Sequence, residues 1–334
     1  MAGVGAVLGL SLIDGTVRAS EDLVLPYAEV LRRALRWLPA GAPITVLVHG
    51  YKFSPLHARK DPHRLIFAPR TRHPRPKYTS WPQGLGFAAA EDGLCIGFAW
   101  PAADPDHPGP GVSGFHRVYA AAPRTGAKLA EVIATLHRLA PARPVDLFTH
   151  SLGARVVLSA LPAAPAGAVG GVILMGGAEF DGVATDCLTQ GAGRAARVYN
   201  VISRDNTFYD RLFHRFGPPP PPGARTLGHG IGAAARNAFD LRLDDPGHLT
   251  LLRRRGVALD PKPREICHWS FYTRPGAFGL YREILRNPHN WTLPDLRTEA
   301  AALPVPPAWR LPLPGRNGPP SGAGGVTPHP LAGA

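Results

Sequence analysis

Pro144-Val145-Asp146-Leu147-Phe148-Thr149-His150-Ser151-Leu152-Gly153-Ala154-Arg155 is the stretch whose reading decides the fold. A short apolar run ends in a His-Ser-x-Gly turn, and an apolar-periodic segment follows at once. In sequence this is how a strand, a sharp elbow and a helix read. The elbow lifts the Ser151 hydroxyl out of the sheet, over a helix N-terminus whose oriented N–H groups can receive an oxyanion. The usual pattern is Gly-x-Ser-x-Gly, and Thr149 occupies the first small position here. The competing reading is a serine that caps a helix after a buried strand.

Outward from the elbow, apolar runs alternate with helical periodicity. Pro43–Val48 and Leu94–Trp100 read as strands before it, and Gly171–Gly177 and Arg197–Ser203 as strands after it. Residues 21–39 and 115–140 carry apolar positions at helical spacing, with Leu129, Val132, Ile133, Leu136 and Leu139 on one face. Strands apolar on both faces, alternating with helices, predict an α/β fold: a mostly parallel sheet covered by helices on both sides. Residues 52–92 are basic and proline-punctuated, and 217–262 are rich in Pro and Gly. Both read as excursions near the active-site mouth. The expectation is one domain over 1–302, with a disordered Pro/Gly/Ala-rich tail at 303–334.

The chain has 334 residues and a net charge of +13, with 37 Lys and Arg against 24 Asp and Glu. The charge favours acidic partners, or simply gives a solvated basic surface. No zinc-finger spacing or RNA-binding aromatic signature supports a nucleic-acid partner. No apolar run is long enough for a transmembrane segment. Met1–Leu10 is apolar but has no basic residue ahead of it, which does not favour a secretory signal. Cys95, Cys187 and Cys267 are scattered, without metal or disulfide spacing. They point to a reducing, cytoplasmic setting with no metal.

In a sheet of this kind, useful residues sit just after the carboxyl ends of strands. Ser151 follows Val145–Phe148, His49-Gly50-Tyr51 follows Ile44–Val48, and Asp205 follows Val198–Ser203. His268 follows Arg264-Glu265-Ile266-Cys267, a short strand candidate. The order Ser151, Asp205, His268 suits a serine hydrolase on such a sheet. His268 would be the base, Asp205 its orienting acid, and the Leu152 and Tyr51 amides the oxyanion hole. Asp181 is the rival acid, while Asp210, one turn into a helix over 206–216, reads as surface. His229 and His248 read as loop histidines. His49 reads as fixing the oxyanion loop, His150 as packing beside the elbow, and Trp100 as a core or rim aromatic.

Val46-Leu47-Val48-His49-Gly50-Tyr51, Gly97-Phe98-Ala99-Trp100-Pro101, Thr149–Gly153 and Ser203-Arg204-Asp205-Asn206 together resemble the α/β-hydrolase superfamily. Within it they are similar to a group of bacterial esterase- and lipase-like enzymes with a His-Gly-Tyr turn and a His-Ser-x-Gly elbow. The resemblance spans roughly residues 40–275. It implies a cofactor-free serine esterase that cleaves a carboxylic ester or thioester through an acyl-enzyme. The alternatives are an acyltransferase on the same triad or a non-catalytic binding protein. The basic segment would act as a lid recruiting an anionic or lipid-like ester substrate.

Overall fold

The computed structural model describes residues 6–103, 112–232, 235–261 and 266–303. Eight strands form one sheet in the order β2-β1-β4-β3-β5-β6-β7-β8. They are β1 (Val7–Ile13), β2 (Thr16–Ala19), β3 (Ile44–Val48), β4 (Leu94–Ala99), β5 (Val145–His150), β6 (Val169–Met175), β7 (Arg197–Ile202) and β8 (Ala238–Arg242). Every neighbouring pair is parallel except β1 with β2, joined antiparallel through the tight turn at Asp14-Gly15. The architecture is α/β, a mostly parallel sheet covered on both faces by helices, as the alternation of apolar runs and helical periodicity predicts.

The two faces follow from strand geometry. Successive side chains point to opposite sides of the sheet. On β3, Val46 and Val48 enter one core and Leu47 the other. On β6, Val172 and Leu174 go one way, and Ile173 and Met175 the other. β3, β4 and β6 are buried at every position, as strands packed on both faces must be. The first core packs against α1 (Tyr27–Arg36), α3 (Val112–Leu139), α4 (Gly153–Ala160) and α5 (Asp181–Leu188). The second packs against α2 (Trp81–Gly84), α7 (Pro246–Arg254), α8 (Ser270–Thr273), α9 (Ala277–Arg286) and α10 (Leu293–Ala301). α6 (Thr207–Phe216) follows β7 and carries Phe213 into the first core.

The chain runs from β3 outward to β4, then crosses back over β3 to β5. The order therefore reverses between β3 and β5, and a crevice opens at their carboxyl ends. His49-Gly50-Tyr51 and Ser151 lie at those ends.

Two segments differ from their expected character. Residues 52–92 hold only short helical turns, α2 among them, yet Ile66, Phe67, Trp81, Leu85 and Phe87 are buried in the second core. The segment plugs one face of the sheet instead of leaving it. Within 217–262 lie the last strand, β8, and α7. β8 was hidden because its AFDLR sequence mixes polar and apolar positions, as an edge strand with a half-wet face does. Ile266-Cys267 is loop and not strand, and Arg264 and Glu265 lie outside the described residues. So does the tail from 304 onward. Among the described residues, no helix is long and apolar enough to cross a membrane.

Candidate active site

Ser151 has φ +55, a left-handed conformation that costs a non-glycine residue roughly 1–2 kcal/mol. Surrounding contacts enforce it. The Ser151 N–H donates to the Met175 carbonyl at 3.0 Å, and the Ser151 carbonyl accepts from Ala154 and Ala178, both at 3.0 Å. The turn is thus tied to the end of β6 and to the first turn of α4. Leu152, not Ser151, is the N-cap of α4, and no side chain caps that end.

Thr149 fits the elbow despite its size. It pairs with Val48 across β5 and β3, and its hydroxyl donates to the Val48 carbonyl at 2.8 Å. The space this takes is left by Gly153: a Cβ there would sit 2.3 Å from Thr149 Oγ1 and 2.7 Å from the carbonyls of Val48 and His49. Gly50 performs the same service on the facing loop. A Cβ at Gly50 would meet the His150 carbonyl at 2.8 Å and Leu152 N at 3.4 Å. The turn after β3 therefore lies directly against the elbow.

His49 fixes that turn. It is fully buried, its Nδ1 donates to the Gly50 carbonyl at 2.9 Å, and its Nε2 accepts from the Trp100 N–H at 3.1 Å. The Trp100 indole donates back to the His49 carbonyl at 3.0 Å. Burial lowers the His49 pKa to about 3, so the ring is neutral, as that pair of bonds requires. Trp100 belongs to the core. Lys52, at φ +77, donates its N–H to the Ala102 carbonyl at 2.8 Å and closes the loop.

His268 arrives on the loop before α8. Its Nε2 is 2.9 Å from Ser151 Oγ. The His150 Nε2–H donates to the His268 carbonyl at 2.7 Å, and the His150 ring lies 4.5 Å from the His268 ring. Tyr209 stacks on His268, with centroids 4.5 Å apart. Burial lowers the His150 pKa to about 4. Burial, and then the neighbouring His150, hold His268 well below its ordinary range. A neutral imidazole is the form that can accept a proton.

The side chain facing His268 Nδ1 is Asn206, not Asp205. Asn206 Oδ1 lies 2.7 Å from Nδ1. Both residues sit in the same 3-10 turn, Arg204–Asn206, and both are buried. That turn sends successive side chains in different directions. The Asp205 carboxylate accepts from the Ser203 hydroxyl and lies near Arg274 and Asp244, while its carbonyl takes the Cys267 N–H at 3.0 Å. Asp205 thus anchors the loop carrying His268 by its backbone, and its carboxylate is turned away from the imidazole.

Asp210 is likewise not a surface residue. It is buried, and its Oδ1 accepts from Asn206 Nδ2 at 3.0 Å. Burial pushes its pKa up to about 7, against the Asn206 hydrogen bond that lowers it. The i, i+4 spacing of Asn206 and Asp210 puts both on one helix face, and that spacing was available in the sequence. Asp181 begins α5 and pairs with Arg225, its Oδ1 accepting the Arg225 N–H at 3.0 Å. His229 Nδ1 is bonded to the Thr226 hydroxyl, and His248 Nδ1 accepts the Arg242 N–H.

A cavity of about 590 Å³ opens over Ser151 and His268. Tyr51, Phe53, Phe115, Leu212, Phe213 and Trp269 build its apolar walls. Lys52 and Asp210 are the charged lining groups beside the histidines. Lys77 stands 5.2 Å from the Trp269 ring, so a second cation borders the wall. Among the described residues, no cluster of His, Cys, Asp and Glu is suited to a metal ion.

No protein-family model matches the chain, and no curated protein matches it. Among solved structures, the chain is similar to the Bacillus licheniformis lipase BlEst2 in its propeptide form, at 15% identity and a TM-score of 0.36. The match covers 74% of this chain and 51% of that one, so the chain spans about half of that lipase's length.

Proposed function

We propose that this protein is a serine hydrolase that cleaves a carboxylic ester or thioester through an acyl-enzyme. One observation carries the reading. A buried serine held in a strained elbow has its Oγ 2.9 Å from an imidazole nitrogen, and the other ring nitrogen is held by Asn206. Asn206 Oδ1 accepts the Nδ1–H, which leaves the Nε2 lone pair facing the Ser151 hydroxyl.

As Ser151 Oγ bonds to the substrate carbonyl carbon, its proton passes to His268 Nε2. The carbonyl oxygen becomes an oxyanion, received by the Leu152 and Tyr51 N–H groups. Collapse breaks the bond to the leaving group, which takes the proton from His268. Water then attacks the acyl-enzyme, giving its proton to His268 and releasing the acid and Ser151. Asn206 in the orienting position is the amide counterpart of a carboxylate. It sets the tautomer without adding a charge against the imidazolium, as in the Cys-His-Asn arrangement.

The cavity supports a reading of the substrate class. Its aromatic walls suit an apolar acyl or aryl group of modest size, and a site of about 590 Å³ matches a drug-sized ligand. Lys52 in the wall and Lys77 beside Trp269 favour an ester that carries a negative group. 4-Nitrophenyl esters graded in chain length, with and without a terminal carboxylate, test this. Turnover abolished by Ser151→Ala, and falling once the chain outgrows the cavity, is expected. Turnover that survives Ser151→Ala refutes the reading.

A further inference from the structure

We propose that Asp210 is a positioning residue for the proposed reaction, acting through Asn206 to fix the tautomer of His268. The inference rests on the serine-hydrolase reading and adds a fourth member behind the imidazole.

An amide side chain is ambiguous in direction. A primary amide has a carbonyl face that accepts and an NH2 face that donates, and nothing internal to it favours either orientation. If Asn206 turned its NH2 toward His268, Nδ1 would have to accept, and the ring proton would move to Nε2. An Nε2–H cannot take the Ser151 proton. Replacing a triad carboxylate by an amide elsewhere is ruinous for this reason. An asparagine in this position therefore needs a second group that forces its direction.

Asp210 is placed to do so. Its Oδ1 is 3.0 Å from Asn206 Nδ2, and both side chains are buried. An ionised carboxylate only accepts, so it holds the NH2 and leaves Oδ1 for the imidazole. The chain Ser151, His268, Asn206, Asp210 is continuous, with contacts of 2.9, 2.7 and 3.0 Å. Alternation of donors and acceptors along it allows only one arrangement of protons when Asp210 is ionised. The carboxylate packs closely on Gly228, where a Cβ would lie 2.2 Å from Oδ2. A side chain at 228 would displace Asp210 from this position.

The test compares wild type, Asp210→Asn and the exchange variant Asn206→Asp/Asp210→Asn. The substitutions are isosteric, and a thermal melt checks each fold. The readout is the second-order rate of inactivation by a small fluorophosphonate at alkaline pH, where Asp210 is ionised. An amide at position 210 can accept or donate, so Asp210→Asn removes the enforced direction, and a loss of roughly tenfold or more is expected. The exchange variant puts the carboxylate directly on His268 Nδ1 and lets the new amide donate to it. Its rate is expected to recover most of that loss. A purely structural role for Asp210 predicts no such recovery. Asp210→Asn within about twofold of wild type, or an exchange variant no better than Asp210→Asn, overturns the proposal. A wild-type protein that is not inactivated at all removes the serine-hydrolase reading, and the inference with it.

Discussion

Ser151, the proposed nucleophile, is held against its own backbone preference. Its φ of +55 suits glycine, and three backbone hydrogen bonds of 3.0 Å keep it there. Strain of this kind is stored by the surrounding fold. Ser151→Gly should therefore raise stability by about 1 kcal/mol in urea unfolding while removing the proposed esterase activity. A less stable Ser151→Gly protein would mean that the hydroxyl contributes more than the strain costs. The pairing of Ser151 with His268 was legible because the elbow pattern is local and the chain order constrains the base. Asn206 was not, because a carboxylate is the ordinary partner and Asp205 stands one residue away. Only the geometry of the 3-10 turn distinguishes neighbours whose side chains diverge.

Elements meet at a buried charged joint behind the elbow. Arg155 on α4 pairs with Glu179 after β6, and the Tyr119 hydroxyl on α3 donates to Glu179 at 2.6 Å. The Arg155 guanidinium also lies 3.7 Å from the Tyr119 ring centroid. Burial, and then the adjacent Glu179, push the Tyr119 pKa up, so the phenol stays a donor. This cluster ties α3, α4 and the loop after β6 together beside the cavity. A buried pair that loses one charge leaves the other uncompensated. Glu179→Gln should cost roughly 2–4 kcal/mol in denaturant unfolding, and Arg155→Met/Glu179→Gln should cost less than the single change. A double variant less stable than Glu179→Gln would contradict this. Strands buried on both faces were readable from their apolar runs. The core role of residues 52–92 was not, because Ile66, Phe67 and Trp81 are scattered among prolines and basic residues without a period.

The whole molecule should be acid-sensitive. His49, His63, His150, His229, His248 and His268 all have lowered pKa values, chiefly through burial. Asp146, Asp210 and Asp244 are raised, again chiefly by burial. Below about pH 6.5 the unfolded chain protonates these histidines more readily than the native state does. The raised carboxyls act the other way, because the native state holds their protons to higher pH than the unfolded chain does. The lowered histidines are the more numerous, and His49 and His150 are lowered to about 3 and about 4, so the unfolded state binds more protons in this range and stability rises with pH. Above the histidine range that gain ends. A net charge of +13, growing as acid is added, works in the same direction. Tm should rise by several degrees from about pH 4.5 to neutrality, with most of the change below about pH 6.5. A flat or falling profile would mean that the buried carboxyls dominate.

Activation of Ser151 as a nucleophile by His268 is the heart of the proposed reaction. Its most direct measurement is the site and extent of fluorophosphonate attachment, read by peptide mass spectrometry on wild type, Ser151→Ala and His268→Ala. A single adduct on Ser151, absent from Ser151→Ala and strongly reduced in His268→Ala, is the result expected. A folded wild-type protein that takes no adduct, or that carries it elsewhere, would contradict the account.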